Sequence, residues 1–112
     1  MSVMSDGGLL TVKLLSSTPG PPVKGYNTWV IEIAETATGV AMEGLDVTVE
    51  PYMPDHEHPT TPVGVEPAPP AAYSLYPVNL FMSGVWEVRM TISGASLAGG
   101  STARAMIPIC IP

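Results

Sequence analysis

Apolar and polar residues alternate with a period of two over several short stretches of the chain. In Val85–Ile92 the apolar side chains at Trp86, Val88 and Met90 alternate with polar or charged ones. Successive side chains of a β-strand point to opposite faces, so this pattern predicts strands with one buried and one wet face. Trp29–Ile33 and Leu45–Val49 show the same alternation and are also predicted as strands.

Thirteen prolines and eleven glycines interrupt the chain at short intervals, which disfavours helices and is typical of strands joined by turns. Four weaker runs complete the set of predicted strands: Leu9–Leu15, Thr61–Val65, Ala72–Met82 and Thr102–Ile111. About seven short strands in 112 residues predict an all-β, antiparallel β-sandwich. We expect residues 1–112 to form one domain. The predicted common core is Trp29, Ile31, Val47, Trp86 and Val88.

Composition narrows the functional classes. Apolar residues make up 46% of the chain and charged residues 12%, which indicates a folded chain. The net charge of −6 would repel phosphate backbones, so no nucleic-acid partner is expected. No apolar run is long enough to span a bilayer, and Met1–Gly8 lacks the basic and apolar regions of a signal peptide.

The two histidines of the chain both lie in the loop Met53-Pro54-Asp55-His56-Glu57-His58. In an extended segment, side chains two residues apart project to the same side, so His56 and His58 can face one ion. The Met53 thioether is a soft ligand and imidazole suits either oxidation state of copper, so this ligand set favours copper. Zinc is the second choice, because it would need a carboxylate of Asp55 or Glu57 to complete four ligands.

Each of these residues also has a simpler interpretation. The His-x-His segment is equally typical of a solvated, proline-rich surface loop. Met42, Met90 and Met106 lie on or beside apolar runs and are predicted to be core residues. Cys110 lies in the run Ile107-Pro108-Ile109-Cys110-Ile111 and is predicted to be a buried structural residue that reacts slowly.

Three segments together resemble the YtkA-like domain family, which is related to the periplasmic part of FixH-like proteins. They are Gly25–Ile31, the Met-Pro-x-His-x-His loop at residues 53–58, and Phe81-Met82-Ser83-Gly84-Val85-Trp86. The resemblance covers Val12–Ile109. It implies an immunoglobulin-like or cupredoxin-like sandwich that is exported or membrane-tethered and takes part in copper handling and oxidase assembly. The expected location is therefore periplasmic or extracytoplasmic, with a leader or anchor outside this sequence.

The chain departs from the family pattern in the loop and before the second tryptophan. Asp55 and Glu57 stand where the family usually carries glycine, and Ser83 stands where proline is usual, which makes this loop more acidic. Strand direction adds a fourth candidate ligand. If strands alternate up and down, the loops after Tyr52 and Met82 emerge at one end, and Met82 can face Met53, His56 and His58. Met82 is also in phase with Val78 and Leu80, so burial in the core is the competing interpretation.

Catalysis is not expected, because the chain shows no glycine-rich nucleophile turn and no paired carboxylates to work with the histidines. Two functions remain. One is a copper-binding accessory or chaperone domain of the bacterial cell envelope, linked to oxidase assembly through a membrane-bound protein complex. The other is a metal-free β-sandwich module that serves interaction or assembly in an envelope complex, through a sheet face or edge.

Overall fold

The computed structural model describes residues 1–54, 61–94, 97 and 102–112. Within these ranges the chain forms eight β-strands and one short 3-10 helix, Asp6–Gly8, so the all-β prediction is confirmed. The strands are β1 (Ser2–Met4), β2 (Leu10–Thr18), β3 (Gly25–Glu35), β4 (Asp46–Tyr52), β5 (Gly64–Ala68), β6 (Ala72–Leu80), β7 (Gly84–Ser93) and β8 (Ala103–Ile111). β1 was not among the predicted strands, and β5 begins three residues later than expected.

The strands form two antiparallel sheets. Sheet A has the order β1-β2-β3-β6-β5, and sheet B has the order β4-β7-β8. The chain crosses from sheet A to sheet B between β3 and β4, returns at β5, and crosses again between β6 and β7. This connectivity leaves β4 and β7 side by side, and these two strands position the candidate site.

A single layer of apolar side chains fills the space between the sheets. Trp29, Ile31, Trp86 and Val88 are completely buried, as their period-two spacing predicts. Val47 is half-buried and packs against the same cluster. Each fully buried side chain of this size stabilises the fold by about 1.5–3 kcal/mol relative to exposure.

The buried amide of Asn27 ties three segments together. Its Nδ2 donates to the carbonyl oxygens of Val23, Gly25 and Val78, at 2.8, 3.0 and 3.2 Å. Its Oδ1 accepts from the backbone N–H of Val23 at 2.8 Å. The loop before β3 is thereby held against β6 at the irregularity where the β3–β6 register shifts.

The hydroxyl of Tyr73 fixes the crossover into sheet B. Tyr73 lies on β6, donates to the carbonyl oxygen of Met42 at 2.7 Å, and accepts from the N–H of Leu45 at 3.2 Å. These two contacts position the residues immediately before β4.

Among the described residues, no helix has the length and apolar character needed to cross a membrane.

Each edge strand has a feature that discourages pairing with another chain. β1 is only three residues long, while β4, β5 and β8 contain Pro51, Pro67 and Pro108 respectively. Proline has no N–H to donate to a neighbouring strand, so it interrupts a ladder at a sheet edge. Extension of either sheet by strand addition is therefore disfavoured.

The two core tryptophans should respond differently to replacement by phenylalanine. Trp86 Nε1 donates to the carbonyl oxygen of Met82 at 2.9 Å, whereas buried Trp29 Nε1 has no acceptor among the described residues. Trp86→Phe loses a hydrogen bond, while Trp29→Phe removes an unpaired donor and leaves a similar cavity. We expect Trp86→Phe to cost about 1–2 kcal/mol more in the free energy of unfolding. Denaturant titration of both variants measures this difference, and equal costs would show that the Trp29 N–H has a partner.

Candidate metal centre

The register between β4 and β7 brings Met53 to the beginning of β7. Tyr52, the last residue of β4, pairs with Glu87, so Met53 lies beside the first residues of the neighbouring strand. Gly84 opens that strand with a backbone φ of 130°. A Cβ atom on Gly84 would lie only 3.2 Å from Cε of Met53. The methyl group of Met53 therefore packs where a larger residue at position 84 would have its side chain.

Met82 lies at the same end of the sandwich. It precedes Gly84 by two residues, and its carbonyl oxygen accepts the hydrogen bond from Trp86 Nε1. The ring of Phe81 meets Trp86 edge to face, with centroids 5.2 Å apart and an interplanar angle of 75°. The turn from β6 into β7 is thus folded around the Trp86 indole, and the two candidate thioethers lie at one end, as the alternation of strand directions predicts.

The thioethers differ in how far they reach solvent. Met53 is only 2% exposed and belongs to the core cluster, whereas Met82 is half-buried and packs against that cluster. Met53 is in phase with Val49 and Pro51, which are also buried, so the alternation of β4 continues to this residue. An ion held by Met53 would have to reach it where the chain leaves the core.

The remaining candidates, His56 and His58, lie outside the described residues, as do Asp55 and Glu57. Their role as ligands stays a prediction. In residues 1–54, 61–94, 97 and 102–112, no group of three His, Cys, Asp or Glu side chains is arranged to hold a metal ion.

A stacked arginine lies on the outer face of sheet B, next to the site. The guanidinium carbon of Arg89 is 3.8 Å from the ring centroid of Tyr52, the residue before Met53. Arg89 also donates from Nη2 and Nε to Oε1 of Glu87, at 2.6 and 3.0 Å. The positive charge of Arg89 is therefore paired with a carboxylate.

The prediction that Cys110 is buried is wrong, because the thiol is exposed. Cys110 pairs with Val85, which is itself 57% exposed on the outer face of sheet B. In β8 the odd-numbered positions face the core and the even-numbered ones face outward. The same parity makes Met106 exposed, so its predicted core position is also wrong. Met90 is buried and Met42 is half-buried against the core, as predicted.

Two positioning residues were not recognised as such from the sequence. Gly84 leaves room for Met53, and the Trp86 N–H holds the backbone at Met82. The signal was present in the spacing of Met82, Gly84 and Trp86. A glycine two residues before a core tryptophan at the start of a strand indicates close approach of another chain segment.

Comparison with known proteins identifies one family. A family model described as YtkA-like matches residues 9–91. The match begins just before β2 and ends within β7, so it includes Met53 and Met82 and excludes β8 with Cys110. No curated protein and no solved structure matches the chain.

Replacing Gly84 by alanine tests the packing of Met53. Gly84→Ala introduces backbone strain and a close contact with the Met53 methyl, so we expect a loss of about 1–3 kcal/mol in the free energy of unfolding. Gly25→Ala is the matched control, since Gly25 also has a positive φ, 103°, but a Cβ there meets nothing within 4 Å. Denaturant unfolding should show the larger loss for Gly84→Ala, and Met53→Ala should reduce the difference. Equal losses would contradict the contact.

The exposed thiol of Cys110 should react readily in the folded protein. We expect a thiol reagent to label native Cys110 at a rate within roughly tenfold of the urea-unfolded chain, because the side chain is already accessible. Mass spectrometry after timed quenching measures both rates. Protection by several orders of magnitude in the native state would instead indicate burial.

Proposed function

Because the chain belongs to the YtkA-like family, we propose that it is a copper-binding accessory or chaperone domain of the bacterial cell envelope. In this proposal Met53, His56, His58 and Met82 hold one copper ion at the end of the sandwich where β4 ends and β7 begins. The role is binding and delivery, not catalysis, and it serves oxidase assembly at a membrane-bound complex.

The observation that carries the proposal is the convergence of Met53 and Met82. Met53 follows β4 and Met82 precedes β7, and these two antiparallel strands are neighbours in sheet B, so both thioethers lie at the same end. His56 and His58 follow Met53 by three and five residues, so the chain allows them at most about 11 and 18 Å from it. Two thioethers and two imidazoles suit copper, since thioether sulfur favours Cu(I) and imidazole serves either state.

Burial of Met53 sets the form that such a site would take. The Met53 side chain is already packed in the core cluster, so binding would cost little side-chain entropy at this ligand. Met82 is the more accessible thioether. In this proposal copper is the redox-active cargo. The chain's own residues would bind it and exclude water from one side.

A second candidate function is a metal-free interaction or assembly module of an envelope complex. The observation that favours it is the depth of Met53. A methionine that is 2% exposed and packed against a glycine behaves as a core side chain, and its placement needs no metal.

Copper titration of the wild-type protein tests the first function. Binding to the folded state alone stabilises it by about 2.7 kcal/mol when the free metal concentration is 100 times the dissociation constant. For a domain of this size, this corresponds to a rise of about 10 °C in the melting midpoint. Because imidazole must be neutral to bind a metal and its ordinary pKa is about 6.5, Cu(II) affinity should fall as the pH drops below that value.

Paired variants separate the ligands from the fold. His56→Ala combined with His58→Ala should abolish the Cu(II)-induced rise and leave the metal-free melting point nearly unchanged. Met82→Leu should weaken Cu(I) binding, while Met106→Leu, an exposed methionine on β8, is the control that should not. Elemental analysis gives the stoichiometry. A wild-type protein without any copper-dependent rise would favour the metal-free module.

A further inference from the structure

The two outer faces of the sandwich differ in charge. On sheet B the outward positions of three adjacent strands include five charged residues: Asp46, Glu50, Glu87, Arg89 and Arg104. On sheet A, charged residues at outward positions include the cross-strand pair Lys13 and Glu32, and Glu66 on the edge strand β5 opposite Ser74. In the half of sheet A near the start of β3, the outward side chains of β2, β3 and β6 are uncharged.

That half, which we call the hydroxyl patch, comprises eight outward residues of β2, β3 and β6. They are Ser16, Thr18, Tyr26, Thr28, Val30, Ser74, Tyr76 and Asn79. Cross-strand pairing makes them neighbours, since Val30 lies opposite Ser16 on one side and Ser74 on the other. None of the eight side chains carries a formal charge, in a chain whose net charge is −6.

Two tyrosines dominate the hydroxyl patch. Tyr26 is 58% exposed and Tyr76 is 54% exposed, and their rings meet edge to face with centroids 6.3 Å apart. Aromatic enrichment together with depletion of charge is the compositional mark of a protein–protein interface core. Tyrosine also supplies large contact area at a low cost in conformational entropy.

The chemistry of the hydroxyl patch makes it complementary to itself. In a two-fold interface, each surface meets an identical copy, so its groups must tolerate their own kind. A hydroxyl group both donates and accepts hydrogen bonds, and tyrosine rings pair with one another. Six of the eight residues are Ser, Thr or Tyr. We propose that the hydroxyl patch is the contact surface of a homodimer, in which two copies of this chain pack sheet A against sheet A.

The prolines of the edge strands favour this face over a side-by-side arrangement. Pro51, Pro67 and Pro108 interrupt three of the four edges, and the fourth is three residues long. Two sheets packed face to face are held by side chains instead, at a spacing of about 10 Å. This route needs no free backbone ladder.

The size of the hydroxyl patch sets the strength of the dimer. Five residues of β3 and three adjacent strands span roughly 13 Å by 10 Å between backbone positions, so with side chains the patch covers roughly 300–400 Å². A stable interface buries about 800 Å² per partner, so the dimer should form only at high protein concentration. It should also strengthen with salt, because salt screens the mutual repulsion of two chains of charge −6.

Sedimentation equilibrium from micromolar to millimolar protein, at low and high sodium chloride, tests the proposal. We expect reversible dimerisation that tightens with salt. Tyr26→Ser combined with Tyr76→Ser keeps the hydroxyls and removes both rings, so the dimer should weaken by roughly tenfold or more. Val85→Ser is the matched control, since Val85 is 57% exposed on the outer face of sheet B, and it should leave the equilibrium unchanged.

A second pair of variants keeps the test independent of the tyrosines' contribution to folding. Ser16→Glu introduces a negative charge into the contact surface of each copy and should reduce association, while Thr48→Glu on the outer face of sheet B should not. A monomer at every concentration and salt level would overturn the proposal. It would equally be overturned by a dimer that survives the tyrosine and Ser16 changes, or by one that weakens with salt or is lost in the Val85 or Thr48 variant.

Discussion

The structure depends on one layer of apolar side chains held between two sheets. With a single cysteine, the chain has no internal disulfide to support this layer. Trp86 has two roles in this layer. Its ring is completely buried in the core, and its N–H fixes the backbone at Met82. Core packing and the geometry of the candidate metal centre therefore both depend on the position of the Trp86 indole. A change that loosens the indole also releases the turn that carries a candidate ligand.

Patterning of apolar and polar residues was enough to predict every described strand except β1, because each sheet has one buried and one wet face. It failed for Cys110, where Ile107, Ile109 and Ile111 share a short run with apolar or neutral neighbours. Nothing in that run marks the wet face by polarity. The face is decided by the pairing of β8 with β7, which places Cys110 opposite outward Val85. The parity of strand β7, read from Trp86, gives the correct orientation once Cys110 is paired with Val85.

The sequence was sufficient to predict which end of the sandwich carries the candidate site, but not that Met53 is buried there. If successive strands alternate in direction, β4 and β6 run the same way and finish at the same end of the sandwich, so the shared location of Met53 and Met82 follows from the count of strands. Met53 is buried in the core cluster where two segments distant in sequence approach closely, and the space for its methyl group is left by Gly84. The spacing of Gly84 and Trp86 in the sequence indicates a close approach of another segment at position 84. It does not identify Met53 as the residue that approaches. The histidines lie outside the described residues, and their part in the site stays a prediction.

The depth of Met53 also bears on oxidative chemistry. Oxidants convert a methionine thioether to the polar sulfoxide, and accessible methionines react before buried ones. Met1, Met4 and Met106 are 61%, 63% and 39% exposed, whereas Met53 is 2% exposed. Surface methionines would therefore consume an oxidant first, while the sulfur of Met53 stays in its reduced form. The packing against Gly84 thus acts as chemical protection for the one thioether at the site that is sealed inside the core.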